Sequence, residues 1–187
     1  MNMKSSHQIA FQKPLWIGGD NDMSTGKKFE AVIKNACIEQ GVDYTRLKDA
    51  GWQGEQTTRR FTSKNICDCI LFFKRTLLFA EIKHRNGALR FDEITQLDEL
   101  KKKWNPEAYI YSGVICQLKG EISFVPTPAI ESMQKELGKK SFNSTDADAF
   151  GIEVNMIKPQ GKRNLRPVVS DLMAQLERQL ESGWRDI

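Results

Sequence analysis

The chain has 187 residues, enough to bury a core without disulfide or metal staples and about the size of one domain with decorated ends. Hydrophobic residues make up 40% and charged residues 28%, the ordinary balance of a soluble globular protein. A formal net charge of +4 permits nucleic acid as a partner without demanding it, and the longest apolar run, around Ile70 to Phe73, is far too short to cross a bilayer.

Residues 1–22 show no clear period and read as an N-terminal arm, anchored by Phe11, Leu15 and Trp16. They lack the apolar run of a signal peptide, so a cytoplasmic protein is expected, with Cys37, Cys67, Cys69 and Cys116 as free thiols. Met23 to Gly26 opens a helix that Ser24 or Thr25 can cap; Phe29, Ile33, Ala36 and Cys37 recur at helical spacing, and Gly41 ends it. Val42 to Leu47 reads as a strand. The stretch 48–65, with two glycines, Trp52, Phe61, Arg59, Arg60 and Lys64, reads as an arm inserted between strands. Ile66 to Phe73 and Thr76 to Lys83 form a hairpin of strands around Lys74-Arg75. Phe91 to Trp104 then reads as a helix with Ile94, Leu97 and Leu100 on one face, stopped by Pro106. Two further strands, Ala108 to Gln117 and Glu121 to Val125, precede a short helix over Pro128 to Leu137. Residues 138–167 read as loop-rich, and Leu172, Met173, Leu176 and Leu180 mark a last amphipathic helix. The expected fold is α/β: a mixed central sheet flanked by helices, with an arm protruding between the first two strands. The expected organisation is an arm (1–22), a core (23–137) with a stalk-like insertion (48–65), and a C-terminal extension (138–187).

The chemistry concentrates in Asp68 and in Glu81-Ile82-Lys83. Asp68 interrupts an apolar strand with a charge, which must pair, bind a metal or reach solvent. Side chains alternate along a strand, so Glu81 and Lys83 share a face while Ile82 and His84 take the other. The hairpin brings the Glu81 strand beside the Asp68 strand. Two carboxylates and the Ile82 carbonyl then suit a hard divalent cation, and Lys83 suits a phosphate whose charge is developing. Glu-x-Lys is also an ordinary solvated strand face, and the residues alone leave both readings open. Gly26-Lys27 does not make a phosphate-binding loop, because Asn21 stands where a glycine is needed and Lys28 where Ser or Thr is. Cys67-x-Cys69 lacks a second pair or histidine to complete a zinc site and reads as buried thiols.

Gly26-Lys27-Lys28-Phe29-Glu30, Asp68, Glu81-Ile82-Lys83 and Gln96 together resemble the PD-(D/E)xK nucleases, and in order and placement the RecU-like Holliday junction resolvases. The resemblance runs from about Ser24 to Val125. It implies a restriction-endonuclease-like core in which Asp68, Glu81, Lys83, Glu30 and Gln96 are catalytic. Asp68, Glu81 and Ile82 would hold Mg²⁺ or Mn²⁺. It further implies a homodimer that cleaves four-way DNA junctions, with Arg59, Arg60, Lys64, Lys27 and Lys28 on the DNA backbone and 48–65 in the place of a stalk. Two other functions fit the same residues: a restriction-type or transposon-end endonuclease on this core, and a DNA-binding protein without catalysis.

Overall fold

The computed structural model describes residues 25–47, 65–158 and 165–181. The expected arm at 1–22 and nearly all of the insertion, with Trp52, Phe61, Arg59, Arg60 and Lys64, lie outside the described residues.

Helix α1 (Thr25–Glu39) buries Phe29, Ile33, Ala36 and Cys37, the four residues whose spacing predicts one apolar face, and Gly41 at φ 70° closes it. Strand β1 (Asp43–Arg46) pairs antiparallel with β2 (Cys69–Phe73), which turns through Lys74 at φ 50° into the long β3 (Thr76–Arg85). A crossover then carries β4 (Leu89–Arg90), a 3₁₀ turn at Phe91–Glu93 and helix α2 (Leu97–Lys101). It leads to β5 (Ile110–Leu118), which runs parallel to β3 from Leu77↔Ile110 to Arg85↔Leu118. Strand β6 (Glu121–Pro126), helix α3 (Thr127–Leu137), β7 (Ser141–Phe142), helix α4 (Ser144–Phe150) and β8 (Ile152–Glu153) follow. The described residues end in β9 (Met156–Ile157), β10 (Arg166–Pro167) and helix α5 (Val169–Glu181). The main sheet has the order β1-β2-β3-β5-β6-β8, with β3 and β5 its parallel pair and the remaining neighbours antiparallel.

Each face of this mixed sheet carries its own core. On one, Phe29 and Ile33 of α1 meet Val169, Leu172, Met173 and Leu176 of α5 over Leu71, Leu78 and Tyr111. On the other, Leu100 of α2, Ile130 and Met133 of α3 and Ala147 of α4 cover Val114, Cys116 and Val125. The residues after 138 therefore contribute to the main sheet and to both cores. Gln40 joins α1 to α5: its amide donates to the Pro167 carbonyl at 2.8 Å and accepts from the Ser170 N–H at 2.9 Å. All four cysteines are buried free thiols.

Three expected elements differ. The strand expected from Ile66 begins at Cys69, because Asp68 uses its side chain, not its backbone, on β3. The single helix expected over Phe91 to Trp104 is a 3₁₀ turn and a five-residue helix. Ile94, at φ −87° and ψ 76°, leaves the helical region between them and turns its side chain into the core. Helix α4 arises within the stretch expected to be loop-rich: the Asn143 side chain accepts from the Asp146 N–H and the Asp146 side chain from the Asn143 N–H, each at 3.0 Å, a reciprocal cap.

Candidate active site

Strand β3 outruns β2. The last hydrogen-bonded pair between them is Cys69↔Ala80, whereas β3 stays paired with β5 on its other side as far as Arg85. Residues 81–85 therefore have a sheet neighbour on one edge and Asp68 on the other. The Asp68 carboxylate takes the ladder's place there, accepting from the Ile82 N–H at 2.8 Å. In an extended strand the N–H and C=O of one residue project to the same edge, so the Ile82 carbonyl leaves β3 on the Asp68 side as well.

The alternation of β3 sorts its side chains as the sequence predicts. Ile82 packs against the core that α1 covers, and the His84 ring lies 6.1 Å from that of Phe29 on α1. Glu81 and Lys83 lie on the opposite face. Glu81 is 3% exposed and Lys83 20%, and the Lys83 ammonium sits 2.6 Å from one Glu81 oxygen. The other, Oε2, is buried with no hydrogen-bond partner. Burial raises the Glu81 pKa above the usual carboxylate range; Lys83 opposes the shift, Asp68 adds to it, and the Thr95 backbone amide opposes it. The result is a buried, incompletely compensated carboxylate beside a second one, at the end of a strand.

Asp68, Glu81, Ile82 and Lys83 thus come together. Glu30 is engaged elsewhere: it lies on the α1 face, ion-paired with Arg46 Nε at 2.8 Å and accepting from the Tyr44 hydroxyl at 3.4 Å, both on β1. Gln96 stands not within a helix but at its mouth, at the N-cap position of α2, next to Thr95, whose backbone lies close to Glu81. Lys27 and Lys28 are exposed in the first turn of α1. Lys101 and Lys102 are engaged by acids, Lys101 with Glu131 at 2.8 Å and Lys102 with Glu99 at 2.7 Å. The backbone at Thr95, close to Glu81, is part of the site that sequence reasoning missed; a backbone group carries no residue-type signal.

Among the described residues no group of three or more His, Cys, Asp or Glu side chains is placed to hold a metal. A hard divalent cation does not need one. Mg²⁺ commonly uses one or two carboxylates and fills its other positions with water and phosphate oxygens. The partnerless Oε2 of Glu81 beside Asp68 fits such an ion.

No helix among the described residues is long and apolar enough to cross a membrane. No family model matches the chain, and no curated protein does. Among solved structures the chain is similar to that of Archaeoglobus fulgidus Hjc, a Holliday junction resolvase from an archaeal hyperthermophile. The two share 19% identity over 68% of this chain and 95% of that one, with a TM-score of 0.44.

Proposed function

We propose that the chain is a metal-dependent endonuclease with a restriction-endonuclease-like core, which hydrolyses phosphodiester bonds in branched DNA, four-way junctions above all, as a homodimer. The observation that carries the proposal is the Glu81 carboxylate: 3% exposed, held on one oxygen by Lys83 and left without a partner on the other, beside Asp68. Burying a charge in this state is costly, and a cation shared with Asp68 offsets the cost. Asp68, Glu81 and the Ile82 carbonyl would hold Mg²⁺ or Mn²⁺. Such an ion, when bound, polarises a phosphoryl oxygen and makes water a better nucleophile near neutral pH.

The chain's own groups do the rest. The Ile82 N–H fixes the Asp68 carboxylate, and the Thr95 backbone lies close to Glu81. Lys83 keeps its ammonium at the site, where it stabilises the charge that develops on the phosphate. Gln96 borders the site from the mouth of α2, and Glu30, set by Arg46 and Tyr44, supports it from the α1 side. Lys27, Lys28, Arg59, Arg60 and Lys64 supply sequence-independent phosphate contacts. The preference for four-way junctions and the dimer rest on the resemblance of this residue set to the resolvases.

The test compares labelled four-way junction, flap, fork and linear duplex, each with and without Mg²⁺. Cutting of the junction is expected with Mg²⁺. Asp68→Asn and Lys83→Ala should keep junction binding while cleaving at least about a hundredfold more slowly, the scale of removing a charge-stabilising group. Wild-type cleavage by Asp68→Asn would remove the site assignment. Preferential cutting of a short duplex sequence would make the enzyme restriction-like, and salt-sensitive binding without any cutting would make it a DNA-binding protein. Replacing Arg59 and Arg60 together by Ala should weaken junction binding and flatten its salt dependence.

A further inference from the structure

Arg85 ends β3 on the same face as Glu81 and Lys83, which lie four and two positions before it on the strand. A third cation beside a candidate nuclease site invites assignment to DNA phosphate. The geometry directs it elsewhere. Its Nε and Nη2 donate to Glu93 Oε1 at 3.1 and 2.6 Å, and its Nη1 donates to the His84 carbonyl at 2.8 Å, so each guanidinium nitrogen already donates within the chain. Glu93 is fixed at its second oxygen too, where Oε2 accepts from the Arg90 N–H at 3.0 Å. Both contacts hold the Glu93 carboxyl below the usual range, the Arg85 hydrogen bond first.

Glu93 closes the 3₁₀ turn that leads directly to Thr95, whose backbone lies close to Glu81, and to Gln96, at the N-cap position of α2. From these contacts, and resting on the nuclease reading, we infer that Arg85 and Glu93 form a clasp that positions the Thr95–Gln96 segment against Glu81. They are positioning residues: neither needs to touch substrate. The fold does not depend on them, because the same segment is also anchored by buried Phe91 and Ile94 and by the Phe91 N–H on the Lys140 carbonyl at 3.1 Å. The pair itself is partly exposed, 43% for Arg85 and 30% for Glu93, so it adds little to stability. Its worth lies in alignment, where small displacements cost large factors in rate.

The experiment is a mutant cycle of Arg85→Ala, Glu93→Ala and the double variant, read by steady-state cleavage of a four-way junction, by junction affinity, by melting temperature and by amide hydrogen exchange at Thr95. Each single variant should lose about tenfold to a hundredfold in kcat with KM and affinity held, and the double variant should lose no more than the worse single. The melting temperature should move by less than about 3 °C, and Thr95 should exchange faster in all three. A rise in KM and weaker binding confined to Arg85→Ala would make Arg85 a DNA contact and overturn the clasp. Unchanged exchange at Thr95 would overturn it as well. A wild-type protein that cuts no DNA would end the nuclease reading alone, since the exchange measurement does not depend on activity.

Discussion

Glu81 lies deep enough that its charge is a burden on the metal-free fold, and the sign of that burden is measurable. Its folded-state pKa is raised above the ordinary 4.5, first by burial and then by Asp68, against the opposing effects of Lys83 and the Thr95 amide. The folded chain therefore holds this proton more tightly than the unfolded chain does. The contribution of Glu81 to stability is present below about pH 4.5 and is lost as pH rises through the raised value. Melting temperatures in chelator across this range should fall more steeply for the wild type than for Glu81→Gln, which has no charge to bury. Identical slopes in the two proteins would show that Glu81 is not strained. A saturating divalent ion should recover part of the loss, since a ligand at a hundred times its Kd stabilises by about 2.7 kcal/mol. The grouping of Glu81 with Lys83, and of Ile82 with His84, was legible from strand alternation. The bond from the Ile82 N–H to Asp68 was not, because it depends on where β2 stops.

At the element scale, β5 is the strand on which both cores are built, and two small residues let its neighbours come close. The Ser112 hydroxyl is fully buried, donating to the Leu100 carbonyl at 2.6 Å and lying 2.8 Å from the Thr127 hydroxyl, so it fastens the end of α2 and the start of α3 to the sheet. At Gly113 an added Cβ would run into the Val125 carbonyl oxygen and come within 2.7 Å of the Phe124 ring. Gly113→Ala should therefore cost about 1–3 kcal/mol, checked by urea titration, as expected when a methyl is forced into a packed interior. Wild-type stability in that variant would mean that β6 can shift away. Helix α1 was readable from its apolar spacing, and α3 was expected over Pro128 to Leu137. The break at Ile94 was not, because that residue gains more by entering the core than by extending a helix, and no local pattern announces the exchange. The cap of α4 was readable in retrospect as Asn143 followed three residues later by Asp146.

Over the whole molecule, the C-terminal segment closes one side of the sheet. Val169, Leu172, Met173 and Leu176 of α5 are buried in the same cluster as Phe29 and Ile33 of α1. The Glu177 carboxylate bonds to the Thr76 hydroxyl at the start of β3, and Arg166 is ion-paired with Glu39 at the end of α1. A chain stopped before Val169 should expose that apolar face and lose cooperative unfolding, as followed by calorimetry or near-ultraviolet circular dichroism. Retention of a sharp transition would show that α1 and the sheet hold without α5.

By itself the sequence determined the helix faces, the hairpin of β2 and β3 and the side-chain alternation that puts Glu81 and Lys83 together, because these depend on periods of two and 3.6 along one segment. Only the tertiary structure decided that Asp68 bonds to the Ile82 amide, that Gln96 stands at the N-cap position of α2, and that Glu30 faces β1. It also set Arg85 against Glu93 and left one Glu81 oxygen without a partner. Those outcomes turn on where one strand ends beside another and on how a buried charge is compensated, both set by residues distant in the chain.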